Sequence, residues 1–300
     1  MIKELLTYFA FPGVSNRDAS PYIQRLRRTD AVGEIEYVVL IAPESPTVVF
    51  VSHGRLRALD TTGVEQWKSL AGKRGVSVVL HNYPGYGGTA GPATEERLCA
   101  DALQLVTFVM ELKWAAGKRL CLLGNSVGCG PTMWLAAQQQ LDADRVVLVS
   151  PYTSISALTP FWVLLYLAKY LHVSIPTSWK LWLGSPAHLK WVQGARFDPF
   201  PPIALARRLA KGTNVLLVHG EDDTTVLVSH TYELNAVLQT VPAVNTTVCI
   251  IPGTEHKDTR LRGDDAIWAF VKGQDAELRS AIDGIVKGGV VKVDNAVGTD

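Results

Sequence analysis

The sequence predicts an α/β fold, a mostly parallel central sheet with helices on both faces, and three observations carry that prediction. Short β-branched runs recur along the chain, amphipathic helical patterns separate them, and the loops that hold chemically able side chains follow the runs. Such alternation means βαβ units, whose strands are parallel and covered on both faces. Right-handed crossovers bring the strand C-termini to one edge, where α/β proteins bind ligands. With 300 residues, 47% of them apolar, the chain can bury a large core. We read one domain over 31–284, a lead-in at 1–30, an inserted helical cap at 155–198 and a tail at 285–300.

Taken in order, Ile2, Leu5, Leu6 and Phe9 follow helical spacing, with Lys3 and Glu4 interrupting any secretory apolar region. This short amphipathic helix is expected to pack on the domain, with contact to a membrane surface as the alternative. Residues 12–30, rich in Pro, Gly and charge, read as loop. Glu36 to Ile41 and Thr47 to Ser52 read as strands, and Pro43 and Pro46 between them suggest a hairpin connection. A helix is expected over 60–74, a strand over Val76 to Leu80, and a long helix from near Thr94 with Leu98, Ala102, Leu105, Val106 and Val109 on one face. Leu120 to Leu123, Arg145 to Val149, Asn214 to Val218 and Thr247 to Ile251 complete the strands. The 155–198 segment carries Phe161, Trp162 and Leu165 within an apolar run too short to span a membrane. We read it as a cap offering an apolar pocket, with an ordinary core helix as the competing reading. The Gly- and Val-rich stretch from Gly284 reads as an edge strand or an irregular tail.

Several function classes find no support. A formal net charge of +1 and the lack of a basic run give no electrostatic ground for nucleic-acid binding. The seven histidines are scattered and H-E-x-x-H is absent, so neither metal nor cofactor is expected. Cys99, Cys121, Cys129 and Cys249 lack metal spacing and read as buried free thiols, which fits a reducing, cytoplasmic setting.

What remains is nucleophilic chemistry. Gly124-Asn125-Ser126-Val127-Gly128 stands between an apolar run and a helical pattern, and G-x-S-x-G in that context describes a nucleophile elbow. A serine hydroxyl needs a base at neutral pH, and the base needs an orienting acid. His256, beyond the final strand, and Asp223, beyond the strand before it, fit those roles, with Asp222 in reserve. The order Ser, Asp, His is that of the α/β hydrolases. Two backbone donors are needed for a developing oxyanion. The N–H of Val127 follows the nucleophile, and that of Arg55 follows His53-Gly54 after an early strand. His53 and His219 read as structural hydrogen-bonding residues.

Together these stretches resemble the α/β-hydrolase-domain serine hydrolases, most closely the palmitoyl-protein thioesterase (depalmitoylase) branch and more distantly the monoacylglycerol lipases. The matching pieces are Val51-Ser52-His53-Gly54, Asn82-Tyr83-Pro84-Gly85-Tyr86-Gly87, Gly124 through Thr132, Phe197-Asp198, His219-Gly220 with Asp223 and Val226, and Gly253 with His256. The resemblance implies the same triad, Ser126, Asp223 and His256. Three features depart from the branch: the sequence opens Met1-Ile2-Lys3 where the branch usually has an acylated, cysteine-rich stretch, His81 stands where an acidic residue often opens the Tyr-containing loop, and 155–198 is longer. The expected activity is hydrolysis of carboxylic esters or thioesters with an apolar acyl group, on a small molecule, lipid or acylated protein. Acyl transfer to an alcohol, small-peptide hydrolysis and a non-catalytic binding protein on the same fold stay open.

Overall fold

Alternation along the strands decides where the core sits. In a computed structural model, which describes residues 2–15, 18–55, 58–159, 162, 171 and 199–286, successive side chains of each central strand enter two different apolar layers. Val48, Phe50, Leu120, Leu122, Val146, Leu148, Val215 and Leu217 face one layer. Val49, Val51, Cys121, Leu123, Val147, Val149, Leu216 and Val218 face the other. Both layers are shielded from solvent because every such strand is covered on both faces. A large aliphatic or aromatic side chain buried in this way contributes about 1.5–3 kcal/mol.

The strands are β1 (Gln24–Arg27), β2 (Glu34–Leu40), β3 (Thr47–Ser52), β4 (Ser77–His81), β5 (Arg119–Asn125), β6 (Ala143–Val149), β7 (Asn214–Gly220) and β8 (Asn245–Ile251). They form one sheet in the order β1-β2-β4-β3-β5-β6-β7-β8. The β1/β2 and β2/β4 pairs are antiparallel, and every pair from β4 onward is parallel. On the first layer lie α1 (Ile2–Ala10), α3 (Glu95–Glu111), α4 (Cys129–Ala136), the short α5 (Pro202–Leu205) and α6 (Ser229–Leu238). On the second lie α2 (Thr61–Arg74), α8 (Asp264–Lys272) and α9 (Asp275–Val286), with α7 (Thr259–Arg262) leading into α8. Helix starts follow the side chains present: Asp60 caps α2 through the Gly63 N–H, and Thr94 caps α3 through the Arg97 N–H. Among the described residues no helix is long and apolar enough to cross a membrane.

Three expectations change. The run 12–30 is not all loop: β1 pairs with β2, and Arg28 at its end is locked to Asp101 of α3 by two hydrogen bonds of 2.8 and 2.6 Å in a buried pair. The turn between β2 and β3 is not a hairpin, because β4 inserts between the two strands. Gly284 belongs to α9, so the helix runs past the start expected for the tail. Of the 155–198 segment only 155–159, 162 and 171 are described; the remainder, like 287–300 of the tail, lies outside the described residues. All four cysteines are buried and free.

Candidate active site

The parallel register places the ends of β3, β5, β7 and β8 on one edge, and the candidate residues meet there. β5 stops at Asn125, and Ser126 adopts φ +54° before a single 3₁₀ turn (Ser126–Gly128) feeds α4. A non-glycine residue in the left-handed region is strained by about 1–3 kcal/mol, and strain of this kind collects at functional sites. The turn is tight because Gly128 has no side chain. A Cβ there would run into the Ser52 carbonyl oxygen and lie 2.7 Å from that of His53. Gly130, two residues further, packs likewise under Tyr152 and Phe200, and a Cβ would lie 2.5 Å from the Phe200 Cβ.

His256, in the loop after β8, spans the gap to the nucleophile. Its Nε2 lies 3.0 Å from Ser126 Oγ and its Nδ1 lies 2.5 Å from Asp223 Oδ2. With Nδ1–H donating to the carboxylate, Nε2 is free to accept the serine proton. The Asp223 side chain is fully buried. Its Oδ1 accepts the N–H groups of Thr225 and Val226, each at 2.8 Å, and its Oδ2 also faces His219 Nε2 at 3.2 Å. Burial alone would raise this carboxyl, but the hydrogen bonds from His219 and His256 prevail and hold it well below the usual carboxylate range. Asp222, the reserve acid, is exposed. Its N–H donates to Thr254 O at 3.1 Å, and its neighbour Glu221 donates to Ile251 O at 2.9 Å, so the backbone ties the acid loop to the base loop. Glu221, Asp222, Thr224, Leu227 and Ser229 line a cavity of about 500 Å³ beside the acid.

Of the two candidate oxyanion donors, one lies in the elbow and the other beside it. Val127 is buried in the turn itself. The Gly54-Arg55 stretch lies against it, so close that a Cβ on Gly54 would be 3.2 Å from Asn125 Nδ2 and 3.8 Å from Ser126 Cβ. Two tyrosines of the loop after β4 hold this stretch, a feature the sequence reading missed. Tyr83 donates its hydroxyl to His53 O at 2.8 Å and Tyr86 to Arg55 O at 2.6 Å, flanking the Arg55 N–H on both sides. Burial raises both phenols, so they stay neutral donors. The loop is shaped by Glu36, which accepts from Asn82 Nδ2 at 3.0 Å and from the Gly88 N–H at 2.7 Å. The Tyr-Pro-Gly-Tyr spacing was visible in the sequence, but its partners on and beyond the neighbouring strands β2 and β3 were not.

The Arg55 side chain is committed elsewhere. Its Nε donates to Phe9 O at 2.9 Å, and the guanidinium lies 5.4 Å from the Phe9 ring. Phe9 in turn packs at 5.6 Å on Trp162, whose indole N–H donates to Thr225 O at 3.0 Å. Of the three pocket residues expected in the cap, Trp162 thus stands beside the acid loop, while Phe161 and Leu165 lie outside the described residues. His53 packs on Tyr83 at 4.0 Å with Nδ1 2.8 Å from the Gly54 carbonyl. Cys129, just after the turn, has its thiol pushed up by burial and offers no second nucleophile.

Comparison with known proteins agrees with this geometry. The sequence model of the prolyl oligopeptidase family, peptidase S9, matches residues 66–274. The chain is 26% identical to the human alpha/beta hydrolase domain-containing protein 17B over 195 residues, 64% of this chain and 55% of that protein. The match therefore spans about half of the relative's length. An esterase of Pyrococcus furiosus superposes with a TM-score of 0.59 at 17% identity, covering 89% of this chain and 90% of that one. A puromycin-hydrolysing peptidase of Mycobacterium tuberculosis gives 0.59 at 19% identity, covering 84% of this chain and 38% of that one. At these identities the structural likeness is one of fold, and the fold is that of the α/β hydrolases.

Proposed function

Because this chain belongs to the prolyl oligopeptidase family, and so to the serine hydrolases of the α/β-hydrolase fold, we propose that Ser126, His256 and Asp223 are its catalytic triad and that it cleaves carboxylic esters or thioesters of apolar acyl groups. The observation that carries the triad is the unbroken line from Ser126 Oγ through His256 to Asp223, at 3.0 and 2.5 Å. Ser126 Oγ attacks the carbonyl carbon and passes its proton to His256 Nε2. The imidazolium forms beside a carboxylate that stays ionised. The oxyanion is received by the N–H groups of Val127 and Arg55. His256 then returns the proton to the departing alcohol or thiol, leaving an acyl-serine. Water repeats the sequence, giving its proton to His256, and the carboxylic acid leaves as Ser126 is restored.

The apolar acyl group is favoured by Trp162 and Phe9, which stand between the acid loop and Arg55. The thioesterase or lipid-esterase assignment rests on the resemblance of the His53-Gly54, Tyr-Pro-Gly-Tyr and elbow stretches to the depalmitoylase branch. A second reading, cleavage of small peptide amides on the same triad, is favoured by the family itself. One experiment separates them. The wild type is expected to label with a fluorophosphonate and Ser126→Ala is not. p-Nitrophenyl esters should be turned over faster as the acyl chain lengthens from acetyl to octanoyl, each methylene contributing up to about 0.8 kcal/mol. Aminoacyl and dipeptidyl anilides cleaved faster than any ester would establish the peptidase reading instead. A folded wild type that does not label would overturn both.

A further inference from the structure

The triad as described leaves unused the buried imidazole that stands beside its acid. His219 ends β7 four residues before Asp223 and is fully buried. Its Nε2 lies 2.8 Å from the Val226 carbonyl, which can only accept, so Nε2 carries the proton. Its Nδ1 lies 2.6 Å from Thr231 Oγ1 of α6, whose hydroxyl therefore donates to it. One tautomer is thus enforced from both sides, and its Nε2–H also faces Asp223 Oδ2 at 3.2 Å. The Asp223 carboxylate thus has three hydrogen-bonding partners, two backbone N–H groups on Oδ1 and the His256 imidazole on Oδ2, and a fourth N–H, that of His219, facing Oδ2 at 3.2 Å. That fills the roughly four acceptor sites a carboxylate has.

We propose that His219 is a positioning residue of the active site, donating a shared Nε2–H to Asp223 Oδ2 so that the carboxylate cannot rotate away from His256. The inference rests on the reading of Asp223 as the triad acid. A histidine that merely stapled the 220–226 loop through Val226 would affect stability alone. The positioning role acts on the orientation of His256, and so on the chemical step.

Two substitutions divide the ring's functions. His219→Gln places an amide N–H at the reach of Nε2 and keeps the donor. His219→Asn reaches only as far as Nδ1, keeping a partner for Thr231 and losing the donor to Asp223. With p-nitrophenyl butyrate, His219→Asn should lower kcat about 10–100-fold, the size of one charge-assisted hydrogen bond, with little change in KM. The far-downfield proton signal of His256 Nδ1–H should move, and His219→Gln should restore most of both. Equal kcat in the two folded variants, or an unmoved His256 signal in His219→Asn, would overturn the proposal. Should either variant fail to fold, the His219 Nε2–H resonance in Asp223→Asn decides: it should shift strongly upfield from its wild-type position, and an unchanged position refutes the contact. Asp223→Asn also tests the underlying reading separately. If it kept wild-type activity, the acid itself would be misassigned, whereas its loss of activity beside an unaffected His219→Asn would sink only the positioning role.

Discussion

Replacing Asp223 by Asn tests the candidate site at the point where its geometry is most complete. Asn keeps the size of the side chain but carries one acceptor and one donor group. If its oxygen stays under the Thr225 and Val226 N–H groups, its NH₂ meets the N–H groups of His256 and His219. If it flips, the clash moves to the backbone side. Either orientation sets donors against donors. Two hydrogen bonds to a charged group are lost, each worth about 1.5–3 kcal/mol. Only the part that grows as His256 becomes cationic slows the reaction. Taking about 4 kcal/mol for that part gives a loss of about 10³-fold in kcat/KM. Asp222→Asn alters an exposed carboxylate and leaves the backbone bond to Thr254 in place, so its effect should stay within about 2-fold. Steady-state hydrolysis of p-nitrophenyl butyrate by both variants, with thermal midpoints measured alongside, is the assay. The reasoning fails if Asp222→Asn is the more damaging change, or if folded Asp223→Asn keeps more than about a tenth of wild-type activity.

Three further outcomes follow from groups near the same edge. The Asp223 carboxyl, held below its usual range, should stay ionised down through the ordinary carboxylate range, as the 13C shift of its carboxyl carbon followed by NMR against pH would report; protonation at or above the ordinary value refutes the charged acid. His81, buried and stacked on Phe50 at 4.9 Å, is held at about 3 by burial and by the neighbouring His53. Below the ordinary imidazole range the unfolded chain therefore takes up a proton that the folded chain refuses, and stability falls by about 1.4 kcal/mol per pH unit until pH nears the folded value. Denaturant unfolding at pH 7 and pH 5 should show the wild type losing roughly 2 kcal/mol more than His81→Phe, and parallel losses would refute the assignment. Tyr86→Phe removes the hydroxyl that holds the Arg55 carbonyl, and it should cut kcat about 10-fold with KM little changed; unaltered kcat in the folded variant would detach this loop from the oxyanion.

How much of this could be read in advance depended on whether a feature is written locally. Ser126, Asp223 and His256 each follow a short apolar run, and parallel strands deliver their C-termini to one edge whatever the loops do, so the three were legible without knowing the strand order. Strand β1 was not. Gln24-Arg25-Leu26-Arg27 is exposed at three of its four positions and becomes a strand only because β2 offers it a free edge. Pro43 and Pro46 correctly mark a reversal of the chain, yet a turn says nothing about which strand will pair, and β4 arrives later to take the place beside β2. The hydroxyl partners of Tyr83 and Tyr86, and the contact from His219 to Asp223, depend on side-chain reach across loops that no periodicity encodes.

The strand order has a consequence for how this protein acquires activity. Two strands, β6 and β7, separate β5 from β8, so Ser126 and His256 are 130 residues apart in the chain and sit at the ends of strands about 14 Å apart. The base reaches back only because its loop is fastened over the end of β7 by the Glu221–Ile251 and Asp222–Thr254 bonds. Such distant pairings form only after considerable chain entropy has been given up, and they slow the arrival at the native state. During refolding, secondary structure and tryptophan burial can be gained piecemeal, whereas turnover returns only when β5, β6, β7 and β8 are all in register. A refolding experiment that follows ester hydrolysis is therefore timing the completion of this side of the sheet, and a nucleophile elbow already formed would stay silent until then.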